Sequence, residues 1–319
     1  MVGKLTPDHM VSASVIPALL GQSPYMTRNE LLARAVATLN GKPPAPFTPG
    51  EAADWGNALE PVILSEAAQR LGLADVRLDH DEPFFHPTLA LACSLDGSAS
   101  GTGQACETGR IRGLRVIGQG PVMLDGPGVL EAKLTSNMPE DEPAAHRGPL
   151  QLQAQLMVTG YKWGCIAVLY RGIELRLFVY GPDKAMQAEI AAAVNDFEAR
   201  KEGPDWYPAE TSADADAAYA TGEADLPTVD LDVLKLGKHL EDLVAARAVK
   251  QDMEARIDAA EAAIKDAMGA HTKAIGTVGN SRYRVAWPMR NYKAQPEKIT
   301  PAKPARAVRQ STLTLKMEE

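Results

Sequence analysis

Two short segments constrain this chain more than any others: A-C-S-L-D-G at 92–97 and V-L-E-A-K-L-T at 129–135. The second alternates in the way of a β-strand, whose successive side chains point to opposite faces. Leu130, Ala132 and Leu134 then share one face and can anchor the strand in a core. Glu131 and Lys133 share the other and project together. Asp96 sits just before Gly97, where a strand would end in a turn. Oxygens of Asp96 and Glu131 suit a hard cation such as Mg²⁺, and Lys133 beside them would hold or polarise an attacking water. The set suits hydrolysis of a phosphodiester, whose developing charge a metal stabilises. Each piece has a plainer reading when alone: Glu-x-Lys as a surface ion pair, Asp-Gly as a turn. The surrounding segments decide between them.

Upstream, E-A-A-D-W-G-N-A-L-E-P-V-I-L-S-E-A-A-Q-R-L-G-L repeats apolar residues at helical spacing (Leu59, Ile63, Ala67, Leu71), and Gly72 closes it. Glu60 adjoins the apolar stripe just before Pro61. Its plain reading is a boundary glutamate favoured by the helix dipole. Nearer the N-terminus, M-V-S-A-S-V-I-P-A-L-L-G-Q-S-P-Y opens a short helix with Ser12 and Ser14 in the cap region, able to cap the helix or to meet a phosphate. Downstream, P-L-Q-L-Q-A-Q-L-M-V-T-G-Y carries Gln151, Gln153 and Gln155 among leucines. Its alternation permits a strand, but Gly160 at its end favours a helix.

Taken in order, these segments resemble the lambda-exonuclease (YqaJ-like) family of viral recombination nucleases, over roughly residues 8 to 205. S-A-S-V-I-P-A-L-L-G-Q-S-P-Y is similar to the family's N-terminal serine motif, with Ser14 at the phosphate-contacting serine. W-G-N-A-L-E resembles the W-G-x-x-x-E helix, with Glu60 as a carboxylate that helps hold metal. A-C-S-L-D-G resembles the C-S-x-D-G strand end, giving Asp96 as metal ligand and Ser94 as a phosphate contact. L-E-A-K resembles L-E-x-K, giving Glu131 as metal ligand and Lys133 as the catalytic lysine. Q-L-Q-A-Q-L-M-V-T-G resembles the glutamine helix, with Gln151 at the active-site glutamine. Each motif is weak alone, and five in order make a chance match improbable.

The resemblance implies a fold, an α+β protein with an α/β/α core of the restriction-endonuclease-like PD-(D/E)xK type. It implies an activity: a Mg²⁺-dependent exonuclease, with Mn²⁺ able to substitute, that resects 5′ strands from double-stranded DNA ends and leaves 3′ tails for recombination. It implies catalytic residues Glu60, Asp96, Glu131, Lys133 and Gln151, phosphate contacts Ser14 and Ser94, and metal ligands Glu60, Asp96, Glu131 and Ala132. It also implies partners: double-stranded DNA ends, a single-strand annealing protein and a ring-like homotrimer. The alternatives are an endonuclease on the same core and a non-catalytic DNA-end-binding scaffold, which the intact Glu60, Asp96, Glu131 and Lys133 set disfavours. One departure stands out. Where the family often carries an arginine for a terminal 5′-phosphate, this chain has K-L-T-P-D-H-M-V, with Lys4 and His9 nearby.

Composition sets bounds. The net charge of −8 argues against nonspecific DNA coating by global charge, though not against a local basic groove. The three cysteines, Cys93, Cys106 and Cys165, are widely spaced without C-x-x-C, which argues against a disulfide framework, a zinc site or an iron–sulfur cluster. No signal segment or membrane span is evident, so the expected location is the cytoplasm of a bacterial host, as a phage or prophage protein.

The long, Gly-rich stretch between Asp96 and Glu131 reads as an extended hairpin, and its Arg110, Arg112 and Arg115 contact DNA or merely solubilise it. W-G-C-I-A-V-L-Y and I-E-L-R-L-F-V-Y read as a hairpin at the sheet edge, followed by a helix over 184–201. Trp206 and Tyr207 are expected to pack on the core, in preference to stacking on a base. The expected organisation is a nuclease domain over 1–208, an acidic linker over 209–229, a helix-plus-hairpin accessory region over 230–292 and a disordered tail over 293–319. In the accessory helix, Met253, Ile257, Ala260, Ile264 and Ala267 follow the spacing of a coiled-coil seam. This region serves as a structural brace or in self-association, partner docking or DNA contact, with the mixed charges disfavouring DNA.

Overall fold

The computed structural model describes residues 6–7, 9–42, 50–78, 80–203, 205–219 and 226–289. The chain divides into two compact units, the first extending to Ala220 and the second beginning at Thr221.

In chain order, the first unit contains β1 (Val11–Ser12), α1 (Ile16–Leu19), α2 (Arg28–Leu39), α3 (Glu51–Leu71), β2 (Ala74–Arg77), β3 (Phe84–Phe85), β4 (Leu91–Cys93), β5 (Gly97–Cys106), β6 (Leu114–Ile117), β7 (Val122–Thr135), α4 (Pro149–Thr159), β8 (Gly164–Tyr170), β9 (Glu174–Tyr180), α5 (Lys184–Glu202) and α6 (Ser212–Ala218). Six strands form one mixed sheet in the order β2-β5-β7-β8-β9-β6. β7 and β8 are parallel, with α4 as their crossover, whereas β5–β7 and β8–β9 are antiparallel hairpins. A smaller sheet, β1-β4-β3, pairs β1 with β4 in parallel.

Each face of the large sheet buries its own core. Val129, Ile166, Val168, Phe178 and Tyr180 pack with Leu150 and Leu156 of α4, Ile190 and Val194 of α5, and Ile16 and Leu32. Leu130, Cys165, Ala167, Leu177 and Val179 turn the other way, onto Ile63, Leu64, Ala67 and Leu71 of α3. Alternate residues of β7 and β8 thus serve opposite cores, and the unit is the expected α/β/α sandwich. Each large aliphatic side chain buried this way contributes roughly 1.5–3 kcal/mol.

Several local expectations hold. α3 ends at Gly72 with φ +64°, a left-handed cap that glycine adopts without penalty. α4 is a helix despite the alternation of Q-L-Q-A-Q-L. It is buried nearly all round, between the sheet, α1 and α5, so its apolar residues need not fall on one stripe. β5 and β7 form the expected long antiparallel pair, from Gly97↔Leu130 to Cys106↔Val122 with a register shift between Thr102 and Gln104, and β6 lies in the connection between them. Gly128 is required there: a Cβ on it would lie 2.2 Å from the Trp163 ring. Trp206 and Tyr207 pack on the core, Tyr207 with its backbone N–H and C=O held by the Asn29 side chain at 2.9 Å each.

Three expectations need correction. The D-G pair at 96–97 is not a turn: β4 ends at Cys93, and Gly97 already begins β5. The β8–β9 hairpin does not form the sheet edge, because β6, from the Gly-rich insertion, pairs in parallel with β9 and covers it. The acidic segment does not begin as a linker at 209. Thr211 and Asp214 form a capping box that starts α6, and Asp214, 1% exposed, accepts the Thr27 hydroxyl at 2.5 Å. Alternating Ala and Asp over 212–218 hides this helix from composition alone, since what holds it is one buried aspartate meeting the start of α2.

The second unit holds α7 (Gly237–Met268), a 32-residue helix, and the antiparallel hairpin β10 (Lys273–Val278) and β11 (Ser281–Ala286), with Gly279 in the left-handed region at its turn. Helix and hairpin match the expectation for this region. The expected tail over 293–319 lies outside the described residues. No helix among the described residues is long and apolar enough to cross a membrane.

Candidate active site

β7 runs farther than its neighbour β5. The pairing stops at Gly97↔Leu130, so from Glu131 onward β7 has an open edge on that side while β8 continues on the other through Thr135↔Tyr170. An open edge leaves a ladder N–H without a strand partner. Asp96, one residue before β5, supplies it: its Oδ2 accepts the Ala132 N–H at 3.0 Å. The junction of two strands therefore fixes Asp96 beside Glu131, and sequence alternation does the rest.

Glu131 and Lys133 lie on the sheet face that carries α4. Glu131 is 1% exposed, a burial that a carboxylate tolerates only with partners. Its Oε1 accepts a close hydrogen bond from Lys133 Nζ, and its Oε2 accepts Gln155 Nε2 at 2.7 Å. Lys133 Nζ also reaches Gln151 Oε1 at 3.3 Å. Residues 151 and 155 are one helical turn apart on α4, so one helix face presents both amides to the strand. Gln155 is the residue that sequence reasoning missed. The signal was there in the i, i+4 spacing, but alternation put Gln151, Gln153 and Gln155 on an equal footing. Gln153 turns away to Gly181 and Asp183.

The electrostatics are lopsided. Burial, and next the Glu131 charge, push the Asp96 carboxyl well above the usual carboxylate range. Lys133 and the Ala132 N–H pull it down, and Glu60 pushes it up. Burial alone would lower the Lys133 ammonium, but Glu131, Asp96 and Glu60 outweigh it and hold it above the ordinary lysine range. Three carboxylates thus act on one ammonium, leaving surplus negative charge in a poorly solvated place. Cys93 is pushed up to about 12 by burial and by Glu131, and so stays a neutral thiol.

Such a donor set fits a hard divalent cation: carboxylate oxygens, surplus charge, no thiolate. The Asp96 and Glu131 carboxylates and the carbonyl of Ala132 between them are the oxygens at hand. Glu60, on α3, acts on both Asp96 and Lys133 through its charge. Among the described residues, no three His, Cys, Asp or Glu side chains form a group that could hold a metal ion.

The two serines lie one strand over. β1 and β4 run in parallel with Ser12 opposite Ala92, which carries both segments forward towards Ser14 and Ser94. Ser14 is exposed, with its hydroxyl 3.0 Å from that of Ser12, and Ser12 makes no side-chain cap. The Ser94 carbonyl accepts Gln155 Nε2 at 3.4 Å, which ties this strand to the site. Of the two residues standing near the family's arginine position, Lys4 lies outside the described residues and His9 offers its carbonyl to Lys201 at 2.7 Å.

A cleft of about 1270 Å³ opens from Lys133 and Gln151, lined also by Thr135 at the end of β7 and by Val168 and Tyr170 of β8. Trp55 and Tyr25 stand exposed on its walls, and Arg147, Arg171 and His146 add cationic or titratable groups. None of Arg110, Arg112 and Arg115 lines it. Arg110 instead reaches the Ala105 carbonyl at 3.4 Å, and Arg115 reaches Asp141 at the same distance.

No curated protein matches the chain. Among solved structures, LHK-Exo in complex with dAMP is 20% identical and aligns with a TM-score of 0.44 over 61% of this chain and 88% of its own. The alkaline exonuclease LHK-Exo from Laribacter hongkongensis gives 19% and 0.44 over the same shares. A phage-related exonuclease from Haemophilus somnus 129PT gives 10% and 0.36, covering 60% and 93%. Residues 7–162, which include every motif residue described above, match the family model of the YqaJ-like viral recombinase domain. The chain thus carries, over those residues, a domain similar to the YqaJ-like viral recombinase domain.

Proposed function

We propose that this protein is a Mg²⁺-dependent DNA exonuclease that resects the 5′ strand of double-stranded ends and leaves 3′ tails for an annealing partner. The observation that carries the reading is the buried Asp96–Glu131–Lys133 cluster at the open end of β7. Asp96, Glu131 and the Ala132 carbonyl would hold the ion, with Glu60 adding charge from α3. Bound there, a divalent cation supplies Lewis acidity and neutralises charge developing on the phosphate.

The remaining work falls to the chain's own groups. Lys133, kept cationic by its carboxylate neighbours, positions the attacking water and balances charge at the phosphate. Gln151 holds the Lys133 ammonium and Gln155 holds the second oxygen of Glu131, so neither is free to turn away. Ser14 and Ser94 are the proposed phosphate contacts on the β1–β4 side. The cleft beside Lys133, with Arg147 and Arg171 on its walls, is the proposed path of the nucleic-acid strand. The exonuclease domain is proposed to end with α6, and the protein to work in the cytoplasm of a bacterial host.

Digestion of an end-labelled linear duplex, with Mg²⁺, with Mn²⁺ and with chelator, tests the reading. Stepwise, metal-dependent release of 5′ nucleotides is expected. Cutting of covalently closed duplex would make it an endonuclease instead, and end binding without cleavage would make it a scaffold.

A further inference from the structure

The second unit exposes an apolar seam with a definite charge pattern. Along α7 the seam runs Leu243, Ala246, Lys250, Met253, Ile257, Ala260, Ile264 and Ala267, alternating steps of three and four over 25 residues. That is the a/d spacing of a coiled coil, with Leu243, Lys250, Ile257 and Ile264 at a. Met253, Ile257 and Ile264 are 38%, 59% and 45% exposed. In proteins most helical stability comes from packing an amphipathic face, and this stripe is left largely uncovered.

We propose that α7 pairs with α7 of a second copy of this chain as a parallel, in-register two-stranded coiled coil. Charge complementarity selects this occupant. In a parallel dimer each g residue faces the e residue five positions on in its partner. The g positions are Asp242, Val249 and Arg256; the matching e positions are Arg247, Glu254 and Glu261. Asp242 therefore meets Arg247, and Arg256 meets Glu261, each twice by symmetry, and no like charges meet at these positions. The d positions are small or flexible (Ala246, Met253, Ala260 and Ala267), so two helices can approach closely, and a single lysine at a specifies register and oligomer state at some cost in stability. That lysine, Lys250, lies 3.6 Å from its own Glu254, which screens the two facing ammonium groups from each other.

The full-length chain is the test object. Light scattering should give an assembly that loses members when Ile257→Glu and Ile264→Glu are combined. Ile264→Cys should form a disulfide-linked dimer on mild oxidation, since a disulfide needs Cα atoms about 4.4–6.8 Å apart and the native Cys93, Cys106 and Cys165 are buried. Arg256→Glu alone and Glu261→Arg alone should each weaken self-association on the order of tenfold. Mixed, the two should form a heterodimer restored to native affinity, because every g–e pair is then opposite in sign. An unchanged mass in the double glutamate variant, no cross-link at residue 264, or no rescue on mixing would overturn the proposal. Aggregation of the glutamate variant would also overturn it, by showing that the seam belongs against the chain itself.

Discussion

Gln155 Nε2 donates to Glu131 Oε2 at 2.7 Å, from a residue no more exposed than the carboxylate it holds. The bond crosses from α4 to β7, so the crossover helix that closes the parallel β7–β8 pair also orients the proposed metal ligand. With Lys133 on the other oxygen, Glu131 has both acceptors engaged by named donors. A buried carboxylate held at both ends cannot choose another rotamer cheaply.

Replacing Gln155 by leucine removes that donor while keeping the apolar packing of α4. Loss of a hydrogen bond to a metal-ligating carboxylate costs about 10–100-fold in metal affinity or activity. Titration of Mg²⁺ dependence should show a raised half-saturation point in Gln155→Leu. Gln153→Leu, which breaks bonds to Gly181 and Asp183 instead, should lower thermal stability and leave that midpoint alone. Equal metal dependence in the two variants would show that Gln155 only packs.

Asp96 gives a prediction about pH. Its carboxyl is raised in the folded state, chiefly by burial and then by Glu131. A group whose folded pKa exceeds its unfolded one favours folding below the unfolded value, and that contribution fades as pH rises through the folded value. The metal-free wild type should therefore lose stability, relative to Asp96→Asn, as pH climbs out of the acid range towards neutrality. Melting curves in chelator read this directly, with the asparagine variant the more stable at neutral pH. Mg²⁺ should raise the melting temperature of the wild type only, and Asp96→Asn should be inactive. A variant that melts lower than the wild type at neutral pH without metal would contradict the surplus-charge reading.

Lys133 differs because it is the one cation among those carboxylates. Lys133→Ala leaves Glu131 buried without its ammonium, a loss of roughly 1–3 kcal/mol once the partial exposure of the lysine is allowed for. Turnover should vanish while Mg²⁺ still binds, since a charged lysine is not a ligand. Calorimetry would show near-native or tighter Mg²⁺ binding in this variant; a collapse of affinity would assign Lys133 a different role.

Much of this site was legible because it rests on rules that act over short distances. Alternation along V-L-E-A-K-L-T put Glu131 and Lys133 on one face, and Gly72 and Gly160 marked the ends of α3 and α4. What stayed hidden depends on where a strand stops pairing. That β5 begins opposite Leu130, so that Asp96 rather than another strand receives the Ala132 N–H, follows from tertiary register and leaves no trace in spacing. The position of β6 beside β9 is equally non-local: four residues, L-R-V-I, within a Gly-rich loop gave no sign that they would cap the far edge of the sheet. Asp214 was obscured for the opposite reason, since a segment rich in Ala and Asp resembles a solvated linker until its single buried aspartate finds Thr27.

Asp214 also decides where the first unit can be cut. Its carboxylate accepts the Thr27 hydroxyl and the backbone N–H groups of Glu210 and Thr211. Burial works against its charge, but these bonds outweigh it and hold the carboxyl below its usual range. Their contribution is present above the unfolded carboxylate pKa and is lost as pH falls through the lower folded value. A chain ending after Pro208 loses α6 and leaves the Thr27 hydroxyl without this acceptor, whereas one ending after Tyr219 keeps both. The longer fragment should be soluble, retain Mg²⁺-dependent cleavage of short duplexes and match the full chain in acid stability. The shorter one should melt several degrees lower, and Asp214→Ala in the longer fragment should reproduce most of that loss, about 1–3 kcal/mol for a buried charged acceptor. Limited proteolysis provides the independent check. Cleavage should begin beyond residue 219 and spare 209–218, and early cutting inside that helix would show that the aspartate clamp does not hold α6 in place.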